Sequence, residues 1–262
     1  MKFQIMRRRL AFLSAILSLS VAAFAQGRGG RGGPPPVPRA SAPIDLTGYW
    51  VSIVTEDWRF RMLTAPKGDF AGVPLSAEGT RVGREWDPAK DEAAGDQCKA
   101  YGAANIMRVP GRFHITWDND TTLKIEADAG TQTRLLHFNT PPPAGTAASW
   151  QGYSNATWER SLNRTRGGEG QPGAAPPSGG SLKVITTNLK AGYLRTNGAP
   201  YSDRATVTEY WDVLHEGNAS TWIVVKTIVE DPVYLTQPFI TSTNLRQQPD
   251  NSKWSPSPCS AK

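Results

Sequence analysis

The chain has 262 residues, nine tryptophans and a formal net charge of +6. All of that surplus lies near the start, where seven basic side chains precede the first acid, Asp45, so residues 44–262 carry a net charge of −1. A nearly neutral domain has no general surface for polyanions, which excludes nucleic acid as an expected partner.

Residues 1–25 have the pattern of a secretory signal peptide. Lys2 and the arginines at 7–9 form a basic start, residues 10–24 form an uncharged apolar run, and Ala23 and Ala25 suit cleavage after Ala25. The run is too short for a spanning helix. We therefore expect a periplasmic or secreted protein without stable membrane insertion, and the oligomeric state is left open.

Two segments lack the composition of a folded core. Residues 26–43 are rich in Gly, Pro and Arg and are predicted to be a disordered spacer. Residues 163–180 contain almost no apolar side chain and are predicted to be a flexible loop. Residues 44–262 are expected to form one barrel-like domain that carries this loop.

The first elements of the domain are short. Residues 49–55 and 58–62 are predicted to be paired strands. Residues 76–86 are the one predicted helix, with Ser76 as N-cap and Glu78 in the first turn.

Beyond residue 111, apolar and polar residues alternate with period two, which indicates β-strands. Residues 112–118, 122–126 and 132–138 predict an antiparallel meander. Further strands are predicted at 149–159, 182–188, 206–214, 221–230 and 234–242. About ten strands, many with one apolar face, indicate an all-β fold: a single antiparallel barrel or a strongly curved sheet with one short helix.

Cys98 and Cys259 are the only cysteines and are predicted to form a disulfide in an oxidising compartment. A thiolate metal site is the alternative, but no histidine or further cysteine lies at ligand spacing around either residue. We expect no metal site. No cofactor is expected either, since the chain has neither a phosphate-binding loop nor a dinucleotide fingerprint.

Gly48, Tyr49 and Trp50 resemble the G-x-W entry motif of lipocalins and related calycin barrels. A longer series of motifs resembles an uncharacterised group of secreted bacterial proteins. It comprises DLTGYW at 45–50, Cys98, WQGYSNATWE at 150–159, VTEYW at 207–211 and IVEDP at 228–232. The resemblance implies export and a barrel architecture but no chemistry. The chain departs from that group at Tyr201, where a histidine is usual.

A carboxylate lies within an apolar row on the strand at 206–214, where Glu209 alternates with Val207 and Trp211. Such a group must be paired, hydrogen-bonded or protonated. A turn centred near Gly217 would place Glu209 close to Lys226 on the next strand. If this face lines a lumen, the pair forms a pocket. If it faces solvent, the pair is an ordinary cross-strand contact and the branched residues at 221–229 form the core.

Three functions remain open at this point. The first is a binding module that holds a small, partly apolar or carbohydrate-like ligand in an aromatic-lined cavity. The second is a cofactor-independent lyase, isomerase or hydrolase, and the third is an envelope structural protein without a pocket. The candidate ligand contacts are Trp150, Trp158, Tyr210, Trp211, Trp222 and Lys226. The candidate acid–base residues are Glu209, Glu230, Asp231, His114 and Tyr193.

Overall fold

Nine strands close into a barrel, as the period-two pattern predicts. The computed structural model describes residues 36–160, 179–217 and 220–261. The barrel strands are β1 (Gly48–Ile53), β2 (Arg112–Asn119), β3 (Thr122–Ala127), β4 (Gln132–Phe138), β5 (Tyr153–Arg160), β6 (Gly180–Thr187), β9 (Thr206–Glu216), β10 (Ser220–Glu230) and β11 (Phe239–Gln248). A separate two-stranded sheet consists of β7 (Gly192–Tyr193) and β8 (Pro200–Tyr201). The short α-helices are α1 (Trp58–Arg61), α2 (Ala77–Arg84) and α3 (Pro88–Ala93), and 3₁₀ turns span Lys99–Tyr101 and Ile106–Arg108.

The strand order around the barrel is β1-β11-β10-β9-β6-β5-β4-β3-β2, and β2 pairs with β1 to close it. All neighbours are antiparallel except β4 and β5, where Leu136 lies opposite Ser154. An odd number of strands cannot alternate in direction around a closed ring, so one parallel pair is required. The all-β barrel is confirmed, with three short α-helices in the described residues where the sequence predicts one.

The barrel has two different ends. We call the end where β1 stops and β2 starts the capped end, because residues from 70–104 and 188–205 pack over it. The opposite end, where β9 stops and β10 starts, is the mouth. Two apolar clusters fill the interior, one towards the mouth around Trp50 and Trp211 and one at the capped end around Tyr201 and Phe239.

The C-terminal tail is fastened to the outside of the barrel. The ring of Trp254 packs edge-on against Tyr49 and His114, with centroids 6.1 and 6.4 Å away. Further along, the Ser257 N–H donates to the Asp128 carbonyl at 2.9 Å. The predicted disulfide between Cys98 and Cys259 is confirmed.

Residues 58–62 and the last predicted strand differ most from the structure, and the strand predicted at 149–159 begins only at Tyr153. Residues 58–62 are not a strand: Trp58–Arg61 form α1, because Asp57 turns the chain with φ 52° and the buried Arg61 donates from Nε to the Arg108 carbonyl at 2.8 Å. The last strand begins at Phe239 and not at residue 234, since the Leu235 N–H closes a turn on the Asp231 carbonyl at 3.2 Å. The N-cap of α2 is as predicted, and Ser76 Oγ accepts from the Gly79 N–H at 3.0 Å.

The predicted signal peptide and most of the predicted loop at 163–180 lie outside the described residues. The predicted spacer is described from residue 36 onward. Its carbonyls at Pro38 and Ser41 accept hydrogen bonds from Trp158 Nε1 (2.9 Å) and Arg160 Nη2 (3.0 Å). Residues 38–43 therefore belong to the packed mouth of the barrel.

Candidate functional site

Four polar side chains, one each from β4, β5, β6 and β9, form a cluster inside the barrel. Arg134 Nη2 and Nη1 donate to the two carboxylate oxygens of Glu209 at 2.8 and 3.2 Å. The side chains are 2% and 0% exposed. The hydroxyls of Ser154 and Thr186 each lie 3.3 Å from Arg134 Nη2 and 2.8 Å from one another. We call these four side chains the polar layer.

The polar layer separates the two apolar clusters. On β9, Val207 belongs to the capped-end cluster and Trp211 to the mouth-side cluster, with Glu209 between them. Both oxygens of Glu209 are bound to one guanidinium in a site closed to solvent. The carboxylate therefore serves as the charge partner of Arg134, and this geometry leaves it no route to a substrate proton.

The predicted contact between Glu209 and Lys226 is wrong. Glu216 pairs with Ser220, so the hairpin is centred one residue later than predicted and Glu209 lies opposite Thr227. A shift of one residue exchanges the two faces of a strand. Lys226 consequently points outward beside Tyr210, while Ile223, Val225 and Val229 face the core, as in the second alternative.

Tyr210 and Lys226 lie on the outer wall of the barrel. The Lys226 ammonium is 5.0 Å from the centroid of the Tyr210 ring, and Lys183 approaches the same ring at 5.6 Å. They border an open groove of about 560 Å³ together with Asp212 and Ile240. Burial raises the pKa of the Asp212 carboxyl, and the Lys226 charge opposes that shift.

The four tryptophans proposed as ligand contacts do not share one cavity. Trp211 is fully buried in the mouth-side cluster. Trp222 is on the outer wall, where its Nε1 donates to Glu216 at 3.1 Å. The Trp150 carbonyl bonds the Ala103 N–H at the capped end, at 2.9 Å. Trp158 alone lies at the mouth.

Three aromatic rings pack together at the mouth: Trp117, Phe138 and Trp158. The Phe138 centroid is 5.4 Å from Trp117 and 4.9 Å from Trp158, and the two indoles are 6.4 Å apart. Trp117 also borders an open groove of about 410 Å³. The other residues that line this groove are Arg39, Ala42, Pro43, Ile44, Asp45 and Thr47.

The remaining acid–base candidates occupy separate places. His114 is on the outer face of β2, where its ring stacks on Tyr49 (centroids 4.1 Å apart) and Nδ1 lies 3.2 Å from Glu126 Oε2. The Tyr193 hydroxyl donates to the buried Asp91 at 2.7 Å. Burial, reinforced by the Asp91 carboxylate, raises the pKa of Tyr193, which keeps the phenol protonated.

Asp231 closes a turn, and its carboxylate accepts three hydrogen bonds. Its carboxylate accepts from the Ser202 N–H (2.6 Å), the Ser202 hydroxyl (2.7 Å) and the Val233 N–H (2.9 Å). Glu230, the neighbouring candidate, is exposed at the end of β10. Together with Glu209, His114 and Tyr193, these residues do not converge on one point.

His137 gives the barrel a pH dependence that can be measured. Burial beside Tyr153 lowers the pKa of its imidazole, against the opposing charge of Asp118. The unfolded chain then binds the proton more readily than the folded chain. The contribution of His137 to stability is therefore fully present above a pH of about 6.5 and is lost as the pH drops towards the lower folded pKa. We expect His137→Gln to flatten the pH dependence of the unfolding free energy between pH 7 and 5. His215→Gln, at an exposed site, is the control, and an unchanged slope in the His137 variant would contradict the assignment.

Sequence reasoning missed Arg134 and Trp117. The alternation pattern contains both residues. Arg134 belongs to the inward row of Leu136 and Phe138. Trp117 continues the inward row of Phe113 and Ile115. An arginine and a glutamate in two apolar rows are a potential buried pair. Arg134 and Glu209 are 75 residues apart along the chain, so the sequence alone does not indicate that they pair.

No protein-family model, curated protein or solved structure matches the chain. Within the described ranges, no three His, Cys, Asp or Glu side chains are grouped so that they could hold a metal ion. No helix in that part of the chain has the length and apolar character required to cross a membrane. Function therefore has to follow from the geometry of the chain itself.

Proposed function

We propose that this chain is an exported binding protein that takes a small, partly apolar or carbohydrate-like ligand at the mouth of the barrel. The observation that carries the proposal is the groove of about 410 Å³ beside Trp117. Small-molecule sites typically occupy roughly 300–1,000 Å³ and combine apolar walls with a few polar groups. The groove has both, with Trp117 and Ile44 against Arg39 and Asp45.

The surroundings of the groove support this assignment. Trp117 rests on Phe138 and Trp158, so the aromatic wall is held by packing before any ligand arrives. The Asp45 carboxylate is oriented by the Thr47 N–H (2.9 Å) and hydroxyl (2.7 Å). A pre-organised site loses less conformational entropy on binding.

Export is supported by the disulfide between Cys98 and Cys259, because such bonds persist in oxidising compartments. The signal-peptide pattern of residues 1–25 points the same way. The kinship with secreted bacterial proteins stays a prediction.

Native mass spectrometry of the protein purified from its own host tests the proposal. We expect a retained small molecule in the wild type and at least a tenfold lower occupancy in Trp117→Ala, which removes the aromatic wall, and in Arg39→Gln, which removes a positive charge from the groove. Trp222→Ala, which removes an indole from the outer wall, is the matched control and should keep the ligand. Equal occupancy in Trp117→Ala and Trp222→Ala would place the ligand elsewhere, and no retained molecule in any variant would favour the structural-protein alternative.

A further inference from the structure

Three buried arginines meet at the capped end. Arg61 comes from α1, Arg108 from the 3₁₀ turn Ile106–Arg108, and Arg195 from the segment between β7 and β8. Their side chains are 1%, 4% and 3% exposed. They are close enough to interact: Arg61 Nε donates to the Arg108 carbonyl, and the aromatic ring of Phe239 lies under Arg108 (5.7 Å) and Arg195 (5.8 Å).

The carboxylates around these arginines do not balance their charge. Glu56 pairs with Arg61. Asp57 Oδ2 lies 3.0 Å from Arg108 Nη2 and 3.6 Å from Arg195 Nη2, so one carboxylate serves two guanidiniums. Asp69, whose charge also acts on Arg195, is held by the exposed Arg59 at 2.5 Å. One positive charge of the cluster is left without a carboxylate of its own.

The cluster also contains donors without acceptors. Arg61 Nη2, Arg108 Nη1 and Arg195 Nε are buried and have no hydrogen-bond partner among the described residues. A buried donor left unpaired costs free energy, more when it is charged. Burial and the charge of Arg108 lower the pKa of Arg195 to about 10, so its guanidinium stays charged at neutral pH.

Asp57 is the more exposed of the two carboxylates that pair with the arginines. Its side chain is 42% exposed, and it stands between two guanidiniums and the exterior. Its backbone has φ 52°, a left-handed conformation that L-residues adopt rarely and that aspartate tolerates better than most. A displacement of this residue would open Arg108 and Arg195 to solvent.

We propose that Arg61, Arg108 and Arg195 form a binding site for a small oxyanion, a carboxylate or phosphate group, which replaces the carboxylate of Asp57. The planar fork of each guanidinium matches both groups. The incoming oxygens supply acceptors for the unpaired donors, and the anion balances the remaining charge. The Arg195 guanidinium carbon lies 3.9 Å from the centroid of the Phe60 ring, a contact that does not depend on Asp57.

Asp57→Asn tests the site, because the amide keeps the size of the side chain and the backbone conformation while it removes the competing charge. We expect its melting temperature in chloride to fall below that of the wild type and to recover on addition of sodium phosphate or acetate at constant ionic strength. Asp57→Asn should bind the anion that restores its melting temperature with a dissociation constant at least tenfold lower than that of the wild type, measured by calorimetry. A response to phosphate alone or to acetate alone identifies the group the site prefers.

Asp203→Asn, the same exchange at an exposed turn position, is the matched control and should not respond to either anion. Arg108→Gln in the Asp57→Asn background should abolish the response. The proposal is overturned if phosphate and acetate stabilise Asp57→Asn no more than Asp203→Asn, or if the response survives the loss of Arg108. Should the double variant not fold, the comparison of the two single variants decides alone.

Discussion

Glu209→Gln should lower the unfolding free energy by about 3–5 kcal/mol, because it leaves the Arg134 charge buried without a counter-charge. Arg134 is 2% exposed and both of its terminal nitrogens donate to Glu209. Ser154 and Thr186 can still accept from Arg134, but hydroxyls do not neutralise its charge. Urea unfolding at fixed pH, extrapolated to water, measures the loss.

Two variants separate a buried charge from a general packing defect. Glu159→Gln removes a carboxylate from an exposed pair with Lys183 and should leave stability unchanged. Arg134→Met combined with Glu209→Leu replaces both charges by apolar groups and should recover most of the loss. A loss below about 1 kcal/mol in Glu209→Gln would show that water reaches the pair and that the polar layer is not closed.

Removing the disulfide should have an effect of similar size. Cys98 and Cys259 are separated by 161 residues along the chain. In the chain-entropy model, release of a loop of that length destabilises the folded state by about 5 kcal/mol, through the added freedom of the unfolded chain. We expect this loss in Cys98→Ser with Cys259→Ser, measured by urea unfolding against the oxidised wild type.

The tail provides the control for this experiment. Trp254→Ala removes the indole that packs on Tyr49 and His114 but keeps the covalent link, so it should cost only a fraction of the disulfide effect. A double cysteine variant as stable as the wild type would contradict the entropic account. Such a result would mean that the non-covalent contacts of the tail restrict the chain as much as the disulfide does.

The local features of the fold follow from sequence. The meander of β2, β3 and β4 is predicted to within one residue at each end, because its alternation is regular and its turns are short. The helix cap at Ser76 has an equally local cause. Residues 58–62 are the counter-example, since five residues are too few to distinguish period 2 from period 3.6, and the burial of Arg61 decides.

The candidate site was less accessible to sequence reasoning. Glu209 is an anomaly in an apolar row, yet its partner Arg134 lies 75 residues away and reaches it only because the sheet closes. The alternation does not fix the direction of Lys226, because a hairpin register that differs by one residue turns its side chain to the other face of the sheet. The arginines of the capped end come from three distant segments, and only the fold brings Arg61, Arg108 and Arg195 together.

A crystal structure of the protein purified from its own host, with its ligand retained, tests the central claim most directly. The account expects density for a small molecule in the groove beside Trp117, with one face against the indole and polar contacts to Arg39 or Asp45. Density in the outer-wall groove beside Tyr210, or a mouth filled by protein side chains alone, would contradict it.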